Sequence, residues 1–298
     1  MSNCRQRSIT TNIRHRWDIC RGALSTTSLS CLAAQNRDTD RRPHILQFHR
    51  GIKSSCGTDH GSATHGVQDE RVFFFDIDNC LYPKSSGIPY LMKQRIEQYF
   101  RDSGIPHHEV ETLAHRYYVD YGLAIRGLIE KHPDIDISDY DDKVDGGLPL
   151  ENILKPKPPL RDMIRSMKVG KKWLFTNAGK YHANRVIKIL GLQGLFDGMT
   201  FCNYLEPHFV CKPDRKAFEK AMKEARVQNP AFCYFVDDSA PNIAMAIKMG
   251  WTAVHVDECL SELPPVGHFQ IHSVVDLPKV LPQFWDHGES ELRTQKRT

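Results

Sequence analysis

The first sustained apolar signal in the chain is Val72-Phe73-Phe74-Phe75, set between Arg71 and Asp76. A run of large apolar residues with no polar alternation predicts a strand buried on both faces, as in a parallel sheet. Similar runs recur at 172–176, 199–204, 232–236 and 252–256. Between them the spacing turns helical. Residues 181–190 put Val186, Ile187 and Leu190 on one face, and 213–225 open with Pro213 near the first turn and direct Phe218, Ala221 and Met222 inward. Residues 242–249 form a short apolar helix closed by Gly250. Strands alternating with helices predict an α/β fold, a doubly wound parallel sheet with a Rossmann-like core.

Residues 84–156 break the alternation, with helical patterns and no strand. Val110, Leu113, Ala114, Tyr117, Tyr118 and Tyr121 follow one helical stripe, 123–131 give a second helix, and the acidic 134–145 read as partly helical up to Gly146-Gly147. An all-helical cap domain inserted directly after the first strand is expected. The core then covers 70–83 and 157–285, between a leader of 1–69 and a polar tail of 286–298.

Charge separates the leader from the rest. The 298 residues hold 40 Lys+Arg and 36 Asp+Glu, a formal net charge of +4. The leader carries ten basic and five acidic residues, which leaves 30 and 31 in the body. The positive charge is therefore no sign of a nucleic-acid surface on the folded part. Rich in Ser, Thr, Arg, Gln and Asn, the leader has little to bury and is predicted to be disordered. A mitochondrial targeting segment is its alternative reading, although residues 9–17 show no convincing amphipathic face. The nine cysteines include no C-x-x-C pair, and several sit in apolar runs, which fits buried free thiols of a reducing compartment. The expected location is the cytoplasm, with the nucleus also open. No apolar run approaches the ~18–20 residues of a membrane span.

Four short patterns fall at the carboxyl ends of separate predicted strands, the edge at which open α/β sheets bind ligands. In Asp76-Ile77-Asp78, strand alternation turns both carboxylates to one side, where they can share a metal or a phosphoryl group. One acting as nucleophile and the other as acid would split a phosphate ester in two steps. In Phe175-Thr176-Asn177-Ala178, a hydroxyl and free backbone N–H groups can grip phosphate oxygens, or Thr176 can simply cap the next helix. In Cys211-Lys212-Pro213, Lys212 can point back across the sheet edge and neutralise a phosphoryl group, or lie solvated on the surface. In Val236-Asp237-Asp238-Ser239, adjacent carboxylates call for a hard divalent cation, with helix capping as a compatible second role. Each pattern is common alone. Their order, one per predicted strand with a cap after the first, is not.

The set Asp76-x-Asp78, Thr176, Lys212 and Asp237-Asp238 resembles the four motifs of the haloacid dehalogenase-like hydrolase superfamily. Residues 74–82, the segment Tyr121-Gly122-Leu123-Ala124-Ile125-Arg126-Gly127-Leu128, and residues 173–178, 211–213 and 235–239 are further similar to its fungal and plant pyrimidine 5′-nucleotidase branch. The resemblance implies Asp76 as the nucleophile that becomes an aspartyl phosphate and Asp78 as the acid and base. It implies Mg²⁺ as cofactor, held by Asp76, the backbone carbonyl of Asp78 and one of Asp237 and Asp238, with Asp238 expected as the direct ligand. Thr176 and Lys212 would hold the phosphoryl oxygens. Tyr121 and Arg126 of the cap, with Asn79 and Asn177 beside the motifs, are the candidates for substrate contact, and the Tyr117–Tyr118 pair is read with equal weight as cap core.

The function expected is Mg²⁺-dependent hydrolysis of nucleoside 5′-monophosphates, pyrimidine ones preferred. Nicotinamide mononucleotide, a sugar phosphate or lysophosphatidate is the alternative substrate. The rival from another class, a non-catalytic protein binding nucleic acid through the basic leader, is weakened by the scarcity of aromatics there.

Overall fold

The computed structural model describes residues 69–259 and 264–285. The leader and the polar tail lie outside the described residues. Six parallel strands form one sheet in the order β3-β2-β1-β4-β5-β6: β1 (Val72–Phe75), β2 (Lys171–Phe175), β3 (Gly198–Thr200), β4 (Cys233–Asp237), β5 (Thr252–Val256) and β6 (Phe269–Ile271). β1 is central, paired with β2 on one side and β4 on the other.

Its unbroken apolar run follows from that position. Phe73 and Phe75 belong to the core cluster on one face, Val72 and Phe74 to the cluster on the other. Phe74 stacks on Trp251 at 4.6 Å between ring centroids, and Phe73 meets the edge of Phe284 at 5.6 Å. Burying each such ring contributes about 1.5–3 kcal/mol. The crossover helices cover both faces: α5 (Pro158–Ser166) and α6 (Lys180–Ile189) lie in the first cluster, α7 (Arg215–Ala225) and α8 (Ala240–Lys248) in the second.

Between β1 and α5 every regular element of the described chain is helical: a 3-10 turn at Lys84–Ser86, α1 (Ile88–Asp102), α2 (Val110–Tyr121), α3 (Ala124–Lys131), a π-helical turn at Asp141–Asp145, and α4 (Leu150–Ile153). A third cluster joins Tyr99, Phe100, Tyr117 and Leu128 of this insertion to Tyr204, Phe209 and Cys211 of the core. The cap is therefore packed onto the strand-end loops.

Four details differ from the sequence reading. The strand expected at 199–204 ends at Thr200, because Tyr204 turns away to pack on Tyr140 and Phe209. β6, three residues at the sheet edge, is too short to show a period. Helix α7 starts after Pro213, with Asp214 as its cap accepting from the Lys216 N–H at 3.0 Å. Tyr118 does not join the cap core. Tyr117 packs inward on Phe100 and bonds His132 at 3.0 Å, while Tyr118, one position round the helix, is 55% exposed.

Candidate active site

The sheet carries its chemistry at the carboxyl ends of β1, β2 and β4. Asp76 continues the β1 ladder by donating its N–H to Val236 O, and its side chain is enclosed. Lys212 reaches it from the loop before α7. The Lys212 ammonium donates to Asp76 Oδ1 at 2.6 Å, to Asp237 Oδ2 at 2.7 Å and to Phe175 O at 2.7 Å. All three of its protons are used, and the flanking rings of Phe175 and Phe235 lie 5.1 and 5.4 Å away. The Lys212 side chain is 1% exposed, so it is not a solvated surface lysine. Burial would favour its neutral form, but Asp237 and Asp76 outweigh that and raise its affinity for the proton.

Asp237 is equally enclosed. Its Oδ2 bonds Lys212, its Oδ1 accepts from the Ser239 N–H at 2.8 Å, and the Asn242 amide donates to Oδ1 at 3.0 Å and Oδ2 at 3.1 Å. Asp237 thus braces the turn that enters α8, while Ser239, one of the two cap candidates, occupies the cap position without a side-chain capping bond. Asp238 instead faces the cleft, where Lys84 reaches its Oδ2 at 2.9 Å.

Asp78 has a different set of partners. Its Oδ1 accepts from the Tyr82 hydroxyl at 2.6 Å and lies 2.7 Å from His182 Nε2. Burial pushes this carboxyl up, but the charge and hydrogen bond of His182, with the Tyr82 bond, bring it below the ordinary range. Burial disfavours the imidazolium, yet Asp78 and then Asp145 push His182 up to about 9. Sequence reasoning missed His182. It lies 104 residues from Asp78 and carries no motif signal of its own.

Thr176, buried at the end of β2, accepts from the Ala178 N–H at 3.0 Å. Asn177 was a substrate-contact candidate, but both ends of its amide brace Lys212. Its Nδ2 donates to Lys212 O at 2.8 Å, and its Oδ1 accepts from the Lys212 N–H at 2.7 Å. Arg126 likewise grips the Lys212 loop, lying 3.7 Å from Cys211 Sγ and 3.4 Å from Asp214 Oδ2. Tyr121 meets Tyr117 edge-on, and its carbonyl accepts from Cys211 Sγ at 3.2 Å. Gly122 has a φ of +81°, and a Cβ there would lie 2.6 Å from Lys212 O. The Tyr121–Arg126 segment therefore holds cap against loop. Asn79 adopts a φ of +63°, and its buried Oδ1 has no partner among the described residues. It lines a cavity of about 290 Å³ with Tyr82, Ser85, Glu258 and His272. Tyr118 has an exposed ring, and burial, then the charges of Asp238, Asp237 and Asp76, push its hydroxyl up, with Lys84 opposing.

One oxygen from each of Asp76, Asp237 and Asp238 lies within 4.8 Å of the others. Burial, then Asp237, pushes Asp238 up to about 6, with Lys84 and Lys212 opposing. Burial pushes Asp76 well above its ordinary range; Lys212 opposes this, while Asp237, Asp238 and Asp78 add to it. The cluster is thus short of positive charge, and its donors are hard oxygens. Those properties fit Mg²⁺.

A family model described as haloacid dehalogenase-like hydrolase matches residues 70–250. The chain belongs to that family of hydrolases. It is 42% identical to Phosphate metabolism protein 8 of Saccharomyces cerevisiae over 190 residues, which make up 60% of this chain and 59% of that protein. Among solved structures it is similar to a HAD phosphatase from Thermococcus onnurineus, at 19% identity and a TM-score of 0.49, covering 71% of this chain and 97% of that one. It is also similar to the L-2-haloacid dehalogenase of Xanthobacter autotrophicus with chloropropionic acid covalently bound, at 14% identity and a TM-score of 0.46, covering 71% and 98%. No helix among the described residues is long and apolar enough to cross a membrane.

Proposed function

We propose that this hydrolase is a Mg²⁺-dependent phosphomonoesterase acting on nucleoside 5′-monophosphates, pyrimidine ones preferred, through an aspartyl phosphate on Asp76. The observation that carries the reading is the buried Lys212 bridging Asp76 and Asp237, with Asp238 and Asp78 beside them. A relative named for phosphate metabolism supports it.

Asp76 Oδ1 is held by Lys212, while Oδ2 accepts no hydrogen bond from the described residues and is the free nucleophilic oxygen. Asp78 binds a proton on its free Oδ2 as the phosphate dianion enters beside it and raises its proton affinity. Attack at phosphorus then forms the Asp76–phosphorus bond as the ester oxygen departs with that proton. Asp78, now a carboxylate, takes a proton from water as the water oxygen attacks phosphorus. Phosphate leaves and Asp76 is restored. Asp76, the Asp78 backbone carbonyl and Asp238 would hold Mg²⁺, with Asp237 steadied by Lys212, Ser239 and Asn242. The cation would neutralise charge on the phosphoryl oxygens while the carboxylate approaches. Thr176 orients those oxygens, while Lys212, its three protons committed, fixes Asp76 and supplies positive charge beneath them. Tyr118, exposed and within reach of the charges of Asp238 and Lys84, offers the stacking face for a base, a role better suited to it than to Tyr121 or Arg126.

The test is phosphate release from a panel of UMP, CMP, AMP, nicotinamide mononucleotide, sugar phosphates and lysophosphatidate, with and without EDTA. Fastest release from UMP or CMP, abolished by EDTA and restored by Mg²⁺, is expected. Preference for another phosphate on the panel would overturn the substrate assignment, and activity insensitive to EDTA would overturn the metal.

A further inference from the structure

We propose that His182, together with Tyr82, is the positioning device for Asp78, fixing one oxygen of that carboxylate so that the other meets the leaving group. The inference rests on the phosphomonoesterase reading above.

Both donors converge on the same atom, Asp78 Oδ1, at 2.6 and 2.7 Å, and Oδ2 accepts nothing from the described residues. The His182 side chain has no accessible surface, while Asp78 keeps 27% of its own. The accessible part of Asp78 is therefore the side its two partners do not cover. Rotating the carboxylate would break two short hydrogen bonds at once, one of them to a buried ring with no room to follow. The free oxygen is thus held in one orientation before substrate arrives, which is what proton delivery to a departing oxygen requires.

The ring itself is anchored by its helix. Arg185, one turn further along α6, donates to Leu148 O at 2.7 Å and Asp145 O at 3.3 Å, and it pairs with Glu151. These partners lie at the end of the helical insertion. The other ring nitrogen, Nδ1, has no hydrogen-bond partner among the described residues, and neither does Asp145 Oδ2 on the π-helical turn. The same helix face therefore sets Asp78 and receives the cap.

A histidine that merely fills the core would affect all substrates alike. In ester cleavage, the first step, a positioning role affects only those whose leaving oxygen needs a proton, whereas dephosphorylation of Asp76 is common to all of them. p-Nitrophenyl phosphate releases a stabilised phenolate, whereas UMP releases an alkoxide. In the full-length chain, single-turnover ester cleavage by His182→Leu is expected to slow about 100-fold for UMP and less than about 3-fold for p-nitrophenyl phosphate, with the substrate concentration at half-maximal rate little changed for either. His182→Gln, which can still donate to Oδ1, is expected to recover most of the loss, and Tyr82→Phe to show the same selectivity more weakly. If His182→Leu fails to fold by circular dichroism, the Gln and Phe variants carry the test through their UMP-selective losses. Equal losses in ester cleavage on both substrates, weaker substrate binding with the cleavage rate held, or a folded Gln variant as impaired as Leu would overturn the proposal. Wild-type protein that turns over neither substrate would overturn the phosphomonoesterase reading, and this inference with it.

Discussion

On the interior side of the sheet edge, Asp237 has no accessible surface and takes hydrogen bonds from Lys212, Ser239 and Asn242. On the cleft side, the carboxylate of its neighbour Asp238 pairs with Lys84, a half-exposed side chain, and burial resists its charge. The same division runs through the rest of the site. Lys212 and Asn177 have their polar atoms committed inside the protein, whereas Asp78 Oδ2, Asp76 Oδ2 and Asn79 Oδ1 accept no hydrogen bond from the described residues. The interior groups build a fixed frame, and the cleft groups are held short of satisfaction. That shortage is what a cation and a phosphate can relieve.

The contrast can be broken most severely at Lys212. Lys212→Met strands Asp76 and Asp237 as buried, unpaired carboxylates and is expected to cost about 3–5 kcal/mol in denaturant unfolding, besides abolishing turnover. Next come the two neighbours. Asp237→Asn keeps the shape but loses charge-assisted bonds, and should cost about 1–3 kcal/mol. Asp238→Asn should leave stability unchanged or raised above pH 6, while calorimetry should show Mg²⁺ affinity falling at least about 10-fold. If Asp238→Asn proved the more destabilising and Asp237→Asn the more damaging to Mg²⁺ binding, the division would be reversed.

A pH-dependent effect sharpens the comparison in the cap. Burial pushes Asp145 up to about 7, with Asp141 and Asp78 adding to the shift and His182 opposing it. The folded state then holds a proton that the unfolded chain releases near its ordinary value of about 4, so stability falls as pH rises between the two. Asp145→Asn should match the wild type near pH 4 and melt at a higher temperature near pH 8. Smallest is Arg126→Met. Its contacts with Asp214 and Cys211 are long and partly exposed, and their loss should cost no more than about 1 kcal/mol.

The core was legible because its signals are local. The Val72–Phe75 run announces a strand with both faces covered, and Asp76, Thr176, Lys212 and Asp237 each follow a strand or precede a helix at a position readable from neighbouring residues. The destination of a side chain was not legible. Asn177 and Arg126 carry the right chemistry for a substrate, yet they are spent on the Lys212 loop, through contacts 35 and 88 residues away in sequence. His182 was missed for the same reason. Tyr118 shows the limit of periodicity, since Tyr117 and Tyr118 straddle the boundary of one helical stripe and only packing decides which enters the core.

The central claim is that Asp76 carries the phosphoryl group. Rapid acid quench of full-length protein mixed with Mg²⁺ and UMP, followed by peptide mass spectrometry, tests it directly. The account predicts transient phosphorylation of the peptide spanning Asp76 at that residue, and none in Asp76→Asn, which should also release no phosphate. Phosphorylation of a different residue, or full turnover by Asp76→Asn, would contradict it.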